Sequence, residues 1–307
     1  MAGHASSALP TITIGGDLPV GRIGFGAMQL TGRQVWGPYP DHEGGVALLR
    51  AVVAEGITFI DTADVYGPHT NELLIREALH PYPPGLAIAS KGGFVRGGYD
   101  LSTLGWVGNP KYLRQSAMLS LQRLGLDRFD LYYLHSGYAT DAPFEDQVGE
   151  LKKLQDEGYI RHIGLSNVTP DQFEAARSVA DIAAVTARYN VGNRAGAALL
   201  AAAEQAGAVF SPWHPVSLRD GGDNADQVAA AIAPLAARYE ATPQQIALAW
   251  LLHRSPAMLP IPGTTSLAHL RENLAAASIR LSGTEVAELT ALVHEGGGPP
   301  TGESLLG

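Results

Sequence analysis

Residues 59–67 read Phe-Ile-Asp-Thr-Ala-Asp-Val-Tyr-Gly. A short apolar run stops on a carboxylate, Asp61, and a tyrosine, Tyr66, follows five positions later. An apolar run of this length with a polar stop is the pattern of a buried parallel strand delivering a side chain to the rim of its sheet. The pattern recurs along the chain. The run 87–90 ends on Ser90 and Lys91, 131–135 on His135, 160–166 on Ser166 and Asn167, 182–189 on Arg188 and Tyr189, and 208–211 on Ser211. With 22–27, 58–61 and 258–261 these make eight predicted strands. Between them lie eight amphipathic stretches, 44–55, 71–79, 111–124, 144–157, 170–180, 195–205, 243–253 and 267–277, which predict helices. Asn71 and Thr242 are placed as N-caps, with Pro243 at the first helical position.

Strict strand–helix alternation implies a parallel sheet with right-handed crossovers. Such a sheet is either left open and doubly wound or closed into a (β/α)8 TIM barrel. In an open sheet, only the strands around a switch point carry chemistry. In a barrel the reactive groups gather at the C-terminal ends of many strands, as here, so the alternation predicts the barrel. Two stretches, 226–239 and 284–294, predict extra helices. The run 11–14 pairs with 18–22 as a hairpin capping one end. The whole chain, 1–307, is expected to be one domain, with tails over 1–10 and 296–307.

Composition agrees with a packed α/β protein. Of 307 residues, 46% are hydrophobic and 17% charged, with 36 Gly and 20 Pro for the many turns. Cysteine is absent, which excludes disulfides, thiolate metal sites and cysteine nucleophiles. The formal net charge of −9 lacks the basic footprint of a nucleic-acid binder. No apolar run has membrane-spanning length, and the N-terminus lacks a basic-then-apolar leader. No His or carboxylate cluster has metal-ligand spacing. The sequence therefore predicts a soluble cytoplasmic protein, monomeric or a small homo-oligomer, acting on a small molecule.

Asp61, Tyr66, Lys91 and His135 end neighbouring strands and converge at one barrel mouth. An ammonium beside a tyrosine favours the phenolate, so Lys91 is expected to lower the Tyr66 pKa from about 10. Tyr66 then donates a proton to a carbonyl oxygen that His135 orients. Two other readings fit parts of this set. Lys91 could form a Schiff base, as in aldolase-type barrels. The chain could also sense a nucleotide without turnover.

The segments Gly24-Phe25-Gly26-Ala27-Met28, 59–67, Ser90-Lys91-Gly92, 130–135, Ile163-Gly164-Leu165-Ser166-Asn167 and Ile261-Pro262-Gly263-Thr264 together resemble the aldo-keto reductase superfamily, most of all bacterial pyridoxal reductase-type members. The resemblance implies an NADPH-dependent reduction of an aldehyde or ketone, with NADH as the alternative cofactor and a pyridoxal-like or other cyclic carbonyl as the substrate class. It assigns Tyr66 as general acid, Asp61 and Lys91 as its polarising pair, and His135 as the orienting residue. Cofactor contacts carried over are Gly26, Ala27, Met28, Asp61, Ser166, Asn167, Thr186, Phe210, Ser211, Pro212, Trp213, Ile261, Gly263, Thr264, Thr265, His269, Glu272 and Asn273. Phe210 takes the place of the aromatic that stacks on the nicotinamide. Thr186 stands where Gln is usual, Gly263 where many members carry Lys, and His269 where many carry Arg. Ser266, Arg271 and Arg219 are the remaining donors nearby. Trp36 and Trp106, in Gly-rich loops, are candidate substrate contacts.

Overall fold

In the computed structural model, residues 9–135, 137–218, 220 and 222–293 are described. Residues 1–8 of the expected tail 1–10, the expected tail 296–307, the end of the last expected helix at His294, and Arg219 lie outside them. The first strands, β1 (Thr11–Ile14) and β2 (Leu18–Gly21), form the expected antiparallel hairpin. Pro10 is part of the fold rather than of a tail, because its carbonyl accepts from the Arg22 N–H at 2.7 Å.

Seven parallel strands follow: β3 (Phe25–Gly26), β4 (Phe59–Asp61), β5 (Ala87–Gly92), β8 (Phe129–Leu134), β9 (Ile160–Ser166), β10 (Ile182–Arg188) and β11 (Val209–Trp213). They lie side by side in that order, every neighbour pair parallel. Between β5 and β8 an antiparallel pair, β6 (Phe94–Arg96) and β7 (Leu104–Trp106), stands outside the sheet. The eight expected crossover helices are α1 (His42–Ala54), α2 (Thr70–Leu79), α3 (Pro110–Leu124), α4 (Phe144–Asp156), α5 (Pro170–Arg177), α6 (Ala197–Ala206), α8 (Pro243–Arg254) and α9 (Leu267–Ala275). The two extra ones are α7 (Ala225–Arg238) and α10 (Gly283–Ala291).

The expected eighth strand, 258–261, is instead a sparsely bonded seam. On one side Phe210 N–H donates to the Ala257 carbonyl and Leu259 N–H to the Phe210 carbonyl, both at 2.9 Å. On the other, Gly24 N–H donates to the Pro260 carbonyl at 3.0 Å. Pro260 and Pro262 have no N–H to return, so no regular ladder forms toward β3. These bonds nonetheless join β11 to the segment before β3 and close the sheet into a (β/α)8 barrel.

Side-chain alternation splits the core into two shells. Phe59, Ala87, Leu131, Tyr133, Val209 and Leu259 pack inside the barrel, and Ile14, Leu18 and Val20 of the hairpin plug its floor. Ile60, Ile88, Tyr132, Ile163, Val185 and Phe210 pack outward against the helices. With the floor stoppered by apolar side chains, the other end is left for polar groups. Among the described residues, no helix is long and apolar enough to cross a membrane.

Candidate active site

Strands β4 and β5 pair with Asp61 opposite Ala89, which brings Lys91 to the rim just above Asp61. Lys91 Nζ donates to an Asp61 carboxylate oxygen and, at 2.8 Å, to the Thr62 carbonyl. It also lies 5.3 Å from the Tyr66 ring centre. Asp61 and Lys91 are both buried, and the second Asp61 oxygen has no partner. Burial is the largest influence on Lys91 and would discharge it, but the Asp61 charge and Tyr66 outweigh it and raise its pKa above the ordinary lysine value. Burial likewise raises Asp61 against the pull of Lys91.

The expectation that Lys91 lowers the Tyr66 pKa is corrected by this environment. Burial raises it first, Asp61 and Asp64 add to the rise, and the charge and hydrogen bond of Lys91 only partly offset them. Tyr66 is therefore a protonated phenol through the neutral range. His135, buried at the end of β8, is pushed well below the ordinary histidine value by burial and then by Lys91, so its imidazole is neutral. Its Nδ1 has no partner. Phe94 of β6 stacks on the His135 ring at 4.0 Å and 9°, and Tyr66 meets it edge-on at 6.1 Å. A neutral imidazole and a protonated phenol thus face one cleft, beside a charged Lys.

Behind Lys91 lies a second buried polar layer. Asp64 accepts from Ser116 Oγ at 2.5 Å, and Glu72 accepts from Ser90 Oγ and Arg123 Nε, each at 2.6 Å. Burial pushes Asp64 up to about 7, with the Glu72 charge adding to the rise against the Ser116 hydrogen bond.

The tetrad opens on a cleft of about 750 Å³ that also includes Met28, Ser166, Asn167, Thr186, Trp213 and Ile261. A second cleft of about 930 Å³ shares Met28, Asp61, Tyr66, Trp213 and Ile261 and extends to Gly26 and Gly263. These two glycines face each other closely. A Cβ on Gly26 would stand 2.7 Å from the Ile261 carbonyl oxygen, and one on Gly263 would stand 2.7 Å from that of Gly26. Bare backbone is therefore required where these two segments meet, and both glycines border the second cleft. Ser211 is buried on β11, on the barrel side. Asn167, at φ 53°, accepts from Trp213 Nε1 at 3.0 Å and donates to Ser166 Oγ at 3.0 Å. Together these features fit an elongated polar cofactor lying across the mouth.

Other cofactor candidates fall less directly on the clefts. Ala27 and Pro212 are buried beside them. Thr264 is buried, its hydroxyl accepting from Ser266 N–H at 3.0 Å, while Thr265 and His269 are exposed at the start of α9. Glu272 and Asn273 lie further along that helix, and Arg271 is tied to Glu55 at 2.8 Å.

Phe210 is corrected. It faces outward with Val185 into the helix shell, fully buried and edge-on to Tyr189 at 5.8 Å. The period of 2 puts Val209 and Ser211 on the barrel side instead. Trp213, an aromatic of the same parity, borders both clefts. Trp36 and Trp106 do not line the cleft either. Trp36 lies under the Arg96 guanidinium at 5.3 Å and Trp106 packs on Tyr138 at 5.8 Å, so each supports a wall. Gln29, Arg96, His214 and Gln244 do border the clefts and were invisible to strand-end reasoning, since they lie on loops, a rim hairpin and a helix start.

The model of the "Aldo/keto reductase family" matches residues 22–294. The pyridoxine 4-dehydrogenase of Escherichia coli is 41% identical over 290 residues, covering 93% of this chain and 99% of that protein. The structure of a glycerol dehydrogenase from Gluconobacter oxydans superposes with a TM-score of 0.82 at 26% identity, over 97% of this chain and 99% of that one. An aldo/keto reductase from Klebsiella pneumoniae, solved with NADP and acetate, superposes with a TM-score of 0.76 at 29% identity, over 93% and 95%. A barrel whose strand ends carry this tetrad, matched by the family model across nearly its whole length, belongs to the aldo/keto reductase family.

Proposed function

We propose that this protein reduces an aldehyde or ketone to the alcohol with NADPH, Tyr66 being the proton donor. The observation that carries this reading is the state of the tetrad: a protonated Tyr66, a Lys91 held charged by Asp61, and a neutral His135, all facing one cleft. The cofactor supplies the hydride. Tyr66 hydroxyl hydrogen-bonds the substrate oxygen and gives up its proton as negative charge grows there. Lys91 stabilises the phenolate so formed, and Asp61 keeps Lys91 charged and in place. His135 donates a second hydrogen bond from a ring N–H to the same oxygen, which fixes the carbonyl's orientation. The apolar walls exclude water and strengthen each of these contacts.

The second cleft, bordered by Gly26 and Gly263, and the Ser166–Asn167 pair support dinucleotide binding, and the Klebsiella enzyme's NADP supports the phosphorylated form. The relative named for pyridoxine supports a cyclic carbonyl of similar size. A Schiff-base route through Lys91 requires a neutral amine, whereas Asp61 holds this one charged. Replacing Tyr66 by Phe should lower kcat for carbonyl reduction by about 10²–10⁴-fold. NADPH affinity, read by fluorescence titration, should change little. Turnover near that of the parent protein would remove Tyr66 from the role.

A further inference from the structure

The hairpin β6–β7 rises from the barrel mouth immediately after the Lys91–Gly92 end of β5. Phe94 and Arg96 are two apart on β6, so they share a face, and both border the cleft. Phe94 is the residue stacked on His135. Arg96 therefore stands one strand repeat, about 7 Å, further out along the same wall.

The guanidinium is held rigidly by neutral groups. Nη1 donates to the Gln34 carbonyl at 3.0 Å, Nη2 to those of Gly98 at 3.3 Å and Tyr99 at 2.7 Å, and the plane lies over Trp36. Among the described residues, no carboxylate lies within ion-pair distance of it, and its buried Nε–H has no partner. Asp100, whose side chain accepts from Ser102 N–H, acts on it only through space. A cation half-withdrawn from water without a counterion is costly. Around it the wall is apolar, made by Val35, Val65, Leu101 and Leu104. The other two charges in the cleft, Asp61 and Lys91, neutralise each other. The cleft thus offers a neutral, apolar slot with one positive charge at its outer end that no carboxylate pairs with directly.

We propose that Arg96 is a specificity-determining residue, selecting carbonyl substrates whose apolar ring carries an anionic oxygen group, a carboxylate or phenolate, on the side away from the reacting carbonyl. The assignment rests on the reading that the carbonyl sits between Tyr66 and His135. A flat ring then fills the slot, and its anionic substituent supplies the counterion that Arg96 lacks. Preorganisation by three carbonyls and Trp36 means little side-chain freedom is lost when the anion arrives.

Two measurements on the full chain separate this proposal from the reaction beneath it. In the first, NADPH-dependent reduction of 4-carboxybenzaldehyde is compared with that of the neutral, similarly shaped 4-nitrobenzaldehyde. The parent protein should favour the carboxylate by about tenfold or more in kcat/KM, mostly through KM. Arg96→Met should lower kcat/KM for the carboxylate at least about tenfold more than for the neutral aldehyde, and Arg96→Lys should keep part of the preference. The absence of a preference in the parent protein, or equal losses for both aldehydes in Arg96→Met, would reduce Arg96 to a staple between two loops. In the second, binding of unreactive 4-methylbenzoate is followed by calorimetry without turnover. Binding by the parent protein and its loss in Arg96→Met support the assignment even if no aldehyde is reduced, in which case the proposed reaction fails alone. No binding by the parent protein overturns the assignment whatever the turnover.

Discussion

Tyr66 and Lys91 illustrate how far a residue's chemistry depends on what surrounds it. Charge pairing alone would depress the tyrosine, yet burial together with Asp61 raises it. The consequence is a specific pH dependence. Reduction needs the phenol, and the raised pKa keeps it protonated past the ordinary value of 10.0. The kcat/KM for reduction should therefore stay level through neutral pH and fall only on an alkaline limb above that value. Alcohol oxidation, which needs the phenolate, should rise over the same limb. Because His135 is held neutral, no inflection should appear near pH 6.5, and initial rates from pH 5 to 11 would check both points. Asp64 makes the opposite kind of claim, on stability. Its folded pKa, about 7, lies above the ordinary 3.8, so between these values the folded protein binds a proton that the unfolded chain does not. Stability contributed by Asp64 is thus present at low pH and is lost as pH rises toward 7. Asp64→Asn should flatten the decline in Tm between pH 4 and pH 7, and an unchanged slope would count against a protonated Asp64.

Among the elements, helix starts were the most readable, because a cap is a local event. Thr242 caps α8 reciprocally with Gln245, and Pro243 sits at the first helical position, as its sequence announces. Asn71 misleads for the opposite reason. Helix α2 starts one residue earlier, and Asn71 is buried, donating to the Ala27 and Leu30 carbonyls at 2.9 Å and accepting from Thr62 at 2.6 Å. A residue suited to capping serves equally well as a cross-link between loops, and only the fold chooses. The hairpin β6–β7 was missed because its strands are three residues each, too short for any period to show. Helix α10 provides the element-level test. Glu285 closes a capping box with Ser282 and receives the Tyr239 hydroxyl at 2.8 Å and Arg238 at 2.6 Å. The Ser282 backbone N–H, ahead of Tyr239 and Arg238, holds its pKa down to about 2. A depressed acid stabilises above its unfolded value of 4.5 and loses that contribution as pH falls through about 2. Glu285→Gln should cost about 1 kcal/mol at pH 7, with the difference vanishing near pH 2 in urea unfolding curves.

For the molecule as a whole the decisive event is closure. The prolines that weaken the 257–262 seam leave work for Arg22, whose partly buried side chain reaches the carbonyls of Leu252 at 3.1 Å, Ser255 at 2.8 Å and Met258 at 3.4 Å. These contacts span more than two hundred positions and tie the first barrel segment to the last. Arg22→Met should lower the free energy of unfolding by about 3 kcal/mol. A loss under about 0.5 kcal/mol would mean that the backbone bonds close the barrel unaided.

The strand-end polar residues, the strand–helix alternation and the N-terminal hairpin were all present in the linear order. Each depends on a period of 2 or 3.6 or on a residue's place beside a turn, which are local properties of the chain. That Asp61, Tyr66, Lys91 and His135 share one mouth follows from that order as soon as the sheet is closed. What no local pattern contained was the sense of burial and charge at each point of that mouth. Whether Tyr66 is raised or lowered, whether Phe210 faces the cleft or the helices, and whether Arg96 finds a counterion depend on side chains tens to hundreds of positions away. Desolvation and Coulomb energies sum over distance in space rather than over separation in sequence. Only the folded barrel, by setting those distances, decided them.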